Sequence, residues 1–255
     1  MTSPTPRAIV RAVPDSFASA LVMGERPVLD VDRARGQHIA YRQMLIGAGY
    51  ELSVVAADED CPDCPFIEDT AVVLDRVAVV TRPGAPERRG ETPAVAAALS
   101  ETMPLAELTE PATLDGGDVL RIGSTVFVGR STRTNDAGIA QLAEIASGDG
   151  LRVIAAPVSR VLHLKSAVAA LDDESVLIAP GCTDPAAFVG YRMIEKPPGE
   201  TGASALRLHD GSIVVTANSP VTMGLVSAAG FDVDWFDSSE FQKADGGLTC
   251  LSLLF

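Results

Sequence analysis

Short apolar segments recur in pairs along this chain, and a tight polar turn joins the two members of each pair. Two runs of Val, Leu, Ile and Ala around a turn rich in Asp and Gly are typical of a β-hairpin. Four such turns are present, at residues 75–76, 123–124, 172–174 and 210–211. A fifth apolar segment, residues 248–255, has only the N-terminal segment around Ala8 to pair with. We therefore expect these two segments to pair and to close a ring.

Ala-rich amphipathic segments lie between the hairpins and predict helices over residues 30–46, 91–99, 135–146, 184–190 and 219–229. Further strand candidates follow some of these segments, at residues 51–55, 151–155 and 232–235. A unit of hairpin, helix and strand thus repeats about every 40 to 50 residues, which indicates one closed array. We expect residues 1–255 to form a single α/β domain.

A doubly wound parallel sheet is the more common way to alternate strands and helices. Two features of the sequence disfavour it. The repeated hairpins imply antiparallel pairing, and no Gly-rich fingerprint leads from a strand into a helix. The Gly-rich segment at residues 115–118 is followed by a strand candidate instead.

Composition and charge narrow the range of partners. A chain of 255 residues with 47% hydrophobic residues and a mean hydropathy of +0.21 is able to bury a large core. Its formal net charge of -14 disfavours binding to nucleic acid, which requires clustered Lys and Arg. An acidic cleft favours a cationic small molecule as the partner.

The sequence also predicts a cytoplasmic location. No apolar run reaches the roughly 18 to 20 residues of a membrane span, and the first residues lack a secretory signal pattern. The four cysteines are few and irregularly spaced, so we interpret them as reduced thiols. We expect no membrane partner, and a homodimer is one option for the oligomeric state.

The segment that opens each hairpin carries a different set of polar residues: Glu68-Asp69, Asp115 to Asp118, His163 to Lys165, residues 201–204, and Cys250. Similar units around one axis would bring a carboxylate, an imidazole and a thiol together. Nucleophilic catalysis requires that combination, with Cys250 as nucleophile, His163 as its base or cationic neighbour, and Asp115 to orient the imidazole. A buried cysteine or a lone histidine is more often structural. The shared repeat position is what favours catalysis here.

Cys61 and Cys64 form a CxxC pair, a pattern that also occurs in zinc sites and redox centres. A closed zinc site needs four ligands, and the chain has no second pair. A redox CxxC normally opens a helix, whereas a proline and then a strand candidate follow here. We therefore expect neither a metal nor another cofactor. The acids of the same segment, Asp63, Glu68 and Asp69, are the stronger candidates for chemistry.

Two loops that lead from a hairpin to a helix carry arginines, Arg88 and Arg89 in one loop and Arg130 and Arg133 in the other. Loop arginines are usually solvated charges. Two such loops on one rim, however, would be able to clamp a carboxylate bidentately.

Together these strings resemble the dimethylarginine dimethylaminohydrolase family of guanidino-group-modifying enzymes, over nearly the whole chain. The matching strings follow the family's order, at residues 66–69, 80–85 with Arg88-Arg89, 113–118, 131–135, 162–165 and 245–250. The resemblance implies a five-bladed α/β propeller around a central active-site channel. It also implies hydrolysis of asymmetric dimethylarginine or monomethylarginine to citrulline and dimethylamine or methylamine. The reaction would pass through a covalent cysteine thiouronium and would need no cofactor.

The resemblance assigns a role to individual residues. Cys250 matches the nucleophile, His163 the general acid and base, and Asp115 the acid beside that histidine. The positions that match substrate-binding residues are Asp63, Glu68 and Asp69 around the guanidinium, Arg88 and Arg133 at the α-carboxylate, and the backbone carbonyls of Leu21 and Ala244 at the α-amino group. Ala244 stands where a β-branched residue is expected, which matters little when only its carbonyl is used.

Other functions stay open from the sequence. Arginine deiminases share the catalytic set, but they carry a helical insertion for which 255 residues leave no room. Transfer of an amidino group would use the same thiol intermediate with an amine in place of water. A non-catalytic binding factor on the same scaffold is the least favoured, because it would have no reason to keep Cys250, His163 and the acids at equivalent positions.

Overall fold

Five three-stranded sheets make up the β-structure of residues 5–200 and 205–255, which are the residues that this computed structural model describes. The strands in chain order are β1 (Arg7–Arg11), β2 (Glu51–Val55), β3 (Ala71–Val73), β4 (Ala78–Val80), β5 (Leu105–Glu107), β6 (Val119–Ile122), β7 (Thr125–Arg130), β8 (Arg152–Pro157), β9 (Val168–Ala170), β10 (Ser175–Ile178), β11 (Arg192–Glu195), β12 (Ala205–Arg207), β13 (Ile213–Thr216), β14 (Val233–Phe236) and β15 (Leu253–Leu254).

All five sheets have the same topology. An inner strand pairs antiparallel with a middle strand, and the middle strand pairs parallel with an outer strand. From inside to outside, the sheets are β15-β1-β2, β3-β4-β5, β6-β7-β8, β9-β10-β11 and β12-β13-β14. Each inner and middle pair is the predicted hairpin, except in the first sheet, where β15 pairs with β1. The predicted pairing of the two terminal segments is therefore confirmed.

An α-helix lies in the crossover between the two parallel strands in four of the five sheets. The α-helices are α1 (Val31–Gly47), α2 (Thr92–Ser100), α3 (Asp136–Ser147), α4 (Leu164–Ala167), α5 (Pro220–Ala228) and α6 (Ser239–Lys243). Asp30 caps α1 by accepting a hydrogen bond from the Arg33 N–H, and Asn135 caps α3 in the same way through Gly138. Of the helices in residues 5–200 and 205–255, none is both long and apolar enough to cross a membrane.

The inner strands surround a common channel of about 1140 Å³, which is lined by residues of β15, β3, β6, β9 and β12. This arrangement is a five-bladed α/β propeller, the fold that the sequence predicts. The apolar core consists of five clusters, and each of them contains side chains from two neighbouring sheets. Val79 of β4, for example, packs in one cluster with Val126 of β7 and Leu142 of α3.

One predicted helix is wrong. Residues 184–190 form only a short 3₁₀ turn, Pro185–Phe188, in the crossover of the fourth sheet. Asp184 does cap this turn through the Ala186 N–H, but the backbone leaves the helical conformation at Val189, whose ψ is 130°. A segment this short does not offset the free energy of nucleating an α-helix. The polar opening predicted at residues 201–204 lies outside the described residues.

Closure of the ring generates a prediction about stability. Leu253 of β15 is buried with Ile9 of β1 and Ile67, so Leu253→Ala should leave a cavity at the closure. We expect the free energy of unfolding in urea to fall by about 2 to 5 kcal/mol. Leu225→Ala, at a leucine of α5 that is 38% exposed, is the matched control and should change it little. Equal effects of the two variants would contradict the closure described here.

Candidate active site

A single helical turn precedes four of the inner strands, and each turn carries polar residues that the sequence analysis selected. The turns are Ile67–Thr70 before β3, Gly116–Asp118 before β6, α4 before β9, and Thr249–Leu251 before β15. Asp115 and His163 are the residues directly before their turns. Cys250 lies within its turn, at the opening of the strand, where the sequence analysis expects it. All four turns lie at the same end of the ring, because they occupy the same position in their blades.

Cys250 and His163 line the same cavity, which has a volume of about 320 Å³. Glu68, Lys165 and Thr249 also line this cavity. Residues that are 87 positions apart in the sequence, as 163 and 250 are, thus face one cavity. The thiol and the imidazole therefore line one cavity, and their catalytic roles stay predictions.

Asp115 orients the imidazole of His163. The Nε2 atom of His163 lies 3.0 Å from Asp115 Oδ2, and both side chains are buried. The Gly84 N–H donates to Asp115 Oδ1 at 2.8 Å, and Arg133 Nη1 lies 3.3 Å from Oδ2. Asp115 therefore has hydrogen-bond donors at both oxygens, and its position fixes the ring.

Asp69 lies beside the other ring nitrogen, with its Oδ1 atom 3.8 Å from His163 Nδ1. The Gly117 N–H donates to the same oxygen at 2.9 Å. A Cβ atom at Gly117 would lie 2.7 Å from both Asp69 Oδ1 and His163 Nδ1. Only glycine lets the backbone approach both groups this closely.

The flanking carboxylates control the protonation of His163. Burial by itself lowers its pKa, but the charge of Asp69 and the hydrogen bond that His163 donates to Asp115 outweigh burial and raise the pKa to about 9. Burial likewise opposes ionisation of Asp69, yet the charges of His163 and Arg88 lower its pKa to about 2. His163 is therefore an imidazolium at neutral pH and is able to donate a proton.

The thiol of Cys250 is protonated in the absence of a ligand. Burial and then the negative charges of Glu68 and Asp69 raise its pKa far above the usual range of a thiol. The Gly247 N–H donates to its Sγ atom at 3.3 Å and opposes this shift. A positive charge that enters the cavity would offset the carboxylates and favour the thiolate.

Glu68 and Asp63 supply two more buried carboxylates. Glu68 Oε1 lies 2.6 Å from Lys165 Nζ, and the Thr249 hydroxyl donates to Oε2 at 2.9 Å. Both oxygens of Asp63 lie 3.1 Å from the Leu21 nitrogen, which donates to them. Burial raises the pKa of both acids.

Leu21 and Ala244 lie on two segments that meet. The Met23 N–H donates to Asp245 Oδ2 at 2.5 Å, which joins the segment after Leu21 to the residue after Ala244. Ala244 is buried at the end of α6, whereas Leu21 is 36% exposed. Their roles in holding an α-amino group stay predictions.

Arg88 is buried and does not lie on an exposed rim, where a bidentate clamp for a carboxylate was expected, so its role in binding substrate stays a prediction. Its guanidinium is buried and binds protein acids: Nη1 pairs with Asp69, while Nε and Nη2 lie 2.9 and 2.7 Å from the two oxygens of Glu91. Nη2 also donates to the Phe66 carbonyl at 3.0 Å. A buried guanidinium requires such partners. Among the described residues, one N–H of Arg88, on Nη1, has no hydrogen-bond partner.

Arg133 is more accessible, because its side chain is 17% exposed and only Nη1 contacts Asp115. A Cβ atom at Gly84 would lie 2.3 Å from the Arg133 carbonyl oxygen, so the two arginine loops lie side by side as predicted. Arg133 is therefore the better placed of the two arginines for an external carboxylate.

Comparison with known proteins gives the family. A family model described as arginine deiminase matches residues 60–198, more than half of the chain. A relative from Streptomyces coelicolor, named N(G),N(G)-dimethylarginine dimethylaminohydrolase, is 42% identical over 253 residues, which cover 98% of this chain and 97% of the relative. The chain belongs to the dimethylarginine dimethylaminohydrolase family.

Solved structures of dimethylarginine dimethylaminohydrolase match the whole chain. A crystal structure of an adduct with S-methyl-L-thiocitrulline has a TM-score of 0.94 and 30% identity, over 99% of this chain and 100% of that one. A mutant of the Pseudomonas aeruginosa enzyme in complex with citrulline has a TM-score of 0.92 and 29% identity, with the same coverage. The propeller predicted from the sequence is confirmed.

The sequence analysis of this dimethylarginine dimethylaminohydrolase family member named Asp118 in a polar segment but gave it no role. Its Oδ1 atom accepts a hydrogen bond from the Leu164 N–H at 2.9 Å, directly after His163. Its Oδ2 atom accepts hydrogen bonds from the hydroxyls of Ser131 and Thr134 at 2.6 and 2.7 Å. Asp118 therefore anchors the turn that carries the histidine. The sequence feature that could have pointed to this role is the presence of a second acid in the segment from Asp115 to Asp118.

Arg160 was also missed. It lines the cavity and adopts φ +64°, a conformation that is uncommon for a residue with a side chain. No sequence pattern marks such a residue, because the strain arises from the loop in its folded surroundings.

Asp69, Asp115 and His163 are the one group in residues 5–200 and 205–255 able to offer three ligand atoms to a metal ion. The neighbouring guanidinium groups of Arg88 and Arg133 disfavour a cation there. Cys61 and Cys64 are free thiols outside this group. Burial raises the pKa of each to about 11, which disfavours metal binding through the thiolates.

The charges around His163 predict its titration. In an NMR titration we expect His163 to change protonation at about pH 9, because Asp69 and Asp115 stabilise the imidazolium. Its contribution to stability should be complete below its ordinary pKa of 6.5 and should be lost as the pH rises through about 9. Asp115→Asn should lower the His163 pKa.

The chain has three histidines, and His38 is an internal control for this titration because its pKa is shifted in the opposite direction. Burial lowers its pKa to about 4, and its Nε2 atom has no hydrogen-bond partner among the described residues. A midpoint for His163 at or below 6.5 would contradict the charge arrangement described above.

Proposed function

We propose that this chain hydrolyses Nω-methylated arginine to citrulline and dimethylamine or methylamine, as a hydrolase acting on the carbon–nitrogen bonds of linear amidines. One observation carries the proposal: a thiol and an imidazolium face one cavity among buried carboxylates. The names of the relatives and the citrulline-type ligands of the solved structures support it.

Recognition of the guanidinium is the first step. A guanidinium resists nucleophilic attack because resonance stabilises it, so the site must keep it protonated and electrophilic. Asp63, Glu68 and Asp69 supply the negative charge for this purpose. The cation in turn offsets the charges of the two acids that, together with burial, hold Cys250 in its thiol form. Binding of substrate therefore favours the thiolate, and the thiol proton passes to solvent; it returns from solvent when the product leaves.

Attack of the thiolate forms a bond from Cys250 Sγ to the central guanidinium carbon. Protonated His163 then gives its proton to the methylated nitrogen, the carbon–nitrogen bond breaks, and neutral amine leaves. The remaining species is a thiouronium on Cys250, with His163 now neutral.

Hydrolysis of the thiouronium completes the reaction. Neutral His163 takes a proton from water while the water oxygen bonds to the same carbon. The adduct expels Cys250 as thiolate, the hydroxyl proton passes to solvent, and citrulline forms. His163 again carries the proton needed for the next turnover, so these steps use only side chains and water.

A site that binds both an α-carboxylate and an α-amino group would select a free amino acid as its substrate. Arg133 and the one available N–H of Arg88 would bind the carboxylate, and the carbonyls of Leu21 and Ala244 would accept from the ammonium group. The cytoplasmic location and the homodimer stay predictions of the sequence.

A direct assay tests the substrate. Purified protein is incubated with asymmetric dimethylarginine, with monomethylarginine and with arginine, and citrulline formation is measured. We expect faster turnover of the methylated substrates. Equal or faster turnover of arginine would favour an arginine deiminase, and formation of a new guanidino compound on addition of an amine would favour amidino transfer.

The nucleophile generates a second prediction. Cys250→Ser should reduce citrulline formation below detection, because a serine hydroxyl is far less acidic and less nucleophilic than a thiol. Binding of dimethylarginine, measured by calorimetry, should be largely retained. Cys182→Ser, at a cysteine outside the cavity lining, is the matched control and should keep its activity. Retained turnover in Cys250→Ser would reject the proposed nucleophile.

A further inference from the structure

The cavity contains a lysine, although the proposed substrate is a cation. Lys165 lies two residues after His163 in α4, and its Nζ atom is 2.6 Å from Glu68 Oε1. The lysine side chain is 20% exposed and that of Glu68 is 8% exposed. A positive charge at this place opposes the binding of a guanidinium, so its presence requires a reason.

Lys165, Glu68 and Thr249 form a wall between two cavities. All three residues line the cavity with Cys250 and His163, and all three also line the central channel of the propeller. Thr249 joins the pair by donating to Glu68 Oε2 at 2.9 Å, and it is the residue directly before Cys250. The position of the Glu68 carboxylate is thus fixed from both sides.

Glu68 needs a counter-charge to stay ionised. Burial favours its neutral form, and the adjacent carboxylate of Asp69 acts in the same direction. The groups that act in the other direction are Lys165 and the Thr249 hydroxyl. A neutral Glu68 would offer a guanidinium no opposite charge. A lysine next to the buried acid favours its ionised form and so keeps the negative charge available.

We propose that Lys165 is a positioning residue, which holds Glu68 ionised and fixed in the wall so that Glu68 is able to bind the guanidinium of the substrate. This inference rests on the proposed function for the identity of the ligand. Lys165 itself does not contact the reacting atoms in this proposal. Its action on substrate passes through the Glu68 carboxylate.

The test compares Lys165→Met with Lys165→Arg in the full chain. Citrulline formation from dimethylarginine is measured from about pH 5 to about pH 9, above the ordinary pKa of a glutamate, because burial raises the pKa of Glu68. On the acid side of the profile, kcat/KM falls as the pH is lowered, and we call this part the acid limb. In Lys165→Met the midpoint of the acid limb should move to higher pH by about one unit or more, mainly because KM rises. On that limb each unit lowers kcat/KM about tenfold, and activity should recover above it.

Three controls separate the charge from a merely structural role. Lys165→Arg keeps the charge and should restore most of the activity on the acid side. Lys196→Met, at a buried lysine outside the cavity lining, should leave the acid limb in place. In a Glu68→Gln background, Lys165→Met should cause no further shift, since the titrating group is gone.

A second measurement does not depend on turnover. The carboxyl signal of Glu68, assigned with Glu68→Gln in protein carrying ¹³C-labelled glutamate, is titrated by NMR in the wild type and in Lys165→Met. We expect a higher midpoint in the variant. An unchanged midpoint, an equal loss of kcat/KM at every pH, or a Lys165→Arg variant that behaves as Lys165→Met would each overturn the inference. Absence of turnover in the wild type would overturn the proposed function alone.

Discussion

A row of alternating charges passes through the site, and the rest of the structure depends on it. Arg88 pairs with Asp69, Asp69 lies beside His163, His163 binds Asp115, and Asp115 contacts Arg133. All of these groups are buried or nearly so. A buried charge without a partner is strongly destabilising, so each member requires its neighbours. The row fixes the imidazole in place and keeps it protonated.

The propeller makes this row possible. Asp69 comes from the second blade and Asp115 from the third, while His163 lies directly before the first strand of the fourth. Asp69 lies within the turn before its inner strand, and Asp115 and His163 lie directly before theirs. These turns lie at one end of the ring. Gly117 allows the backbone to enter between Asp69 and His163. The same repeat that builds the fold therefore assembles groups that are distant in the sequence.

The excess of carboxylates makes the site suitable for a cation, and Lys165 keeps one of these carboxylates ionised. The carboxylates that suit a guanidinium also suppress ionisation of Cys250, so nucleophile and ligand depend on one another. The positive charge of Lys165, taken alone, would oppose the binding of a cation. Through its contact with Glu68, it preserves the negative charge that a buried acid would otherwise lose.

The sequence by itself determined the repeated unit, the closure of the ring and the candidate residues. Apolar runs around Asp and Gly turns act over a few residues, so hairpins such as β6-β7 follow from local pattern. The equivalence of Asp115, His163 and Cys250 followed from the repeat. The resemblance to a family added the role of each residue.

Tertiary structure alone decided the partners of the charges. The sequence places Arg88 in a loop, where arginines are usually solvated, yet packing buries it against Asp69 and Glu91. Protonation of His163 and Cys250 likewise depends on carboxylates that lie far away in the chain. The physical reason is that burial and Coulomb energy depend on distances in space, whereas a sequence pattern reports only the distances along the backbone.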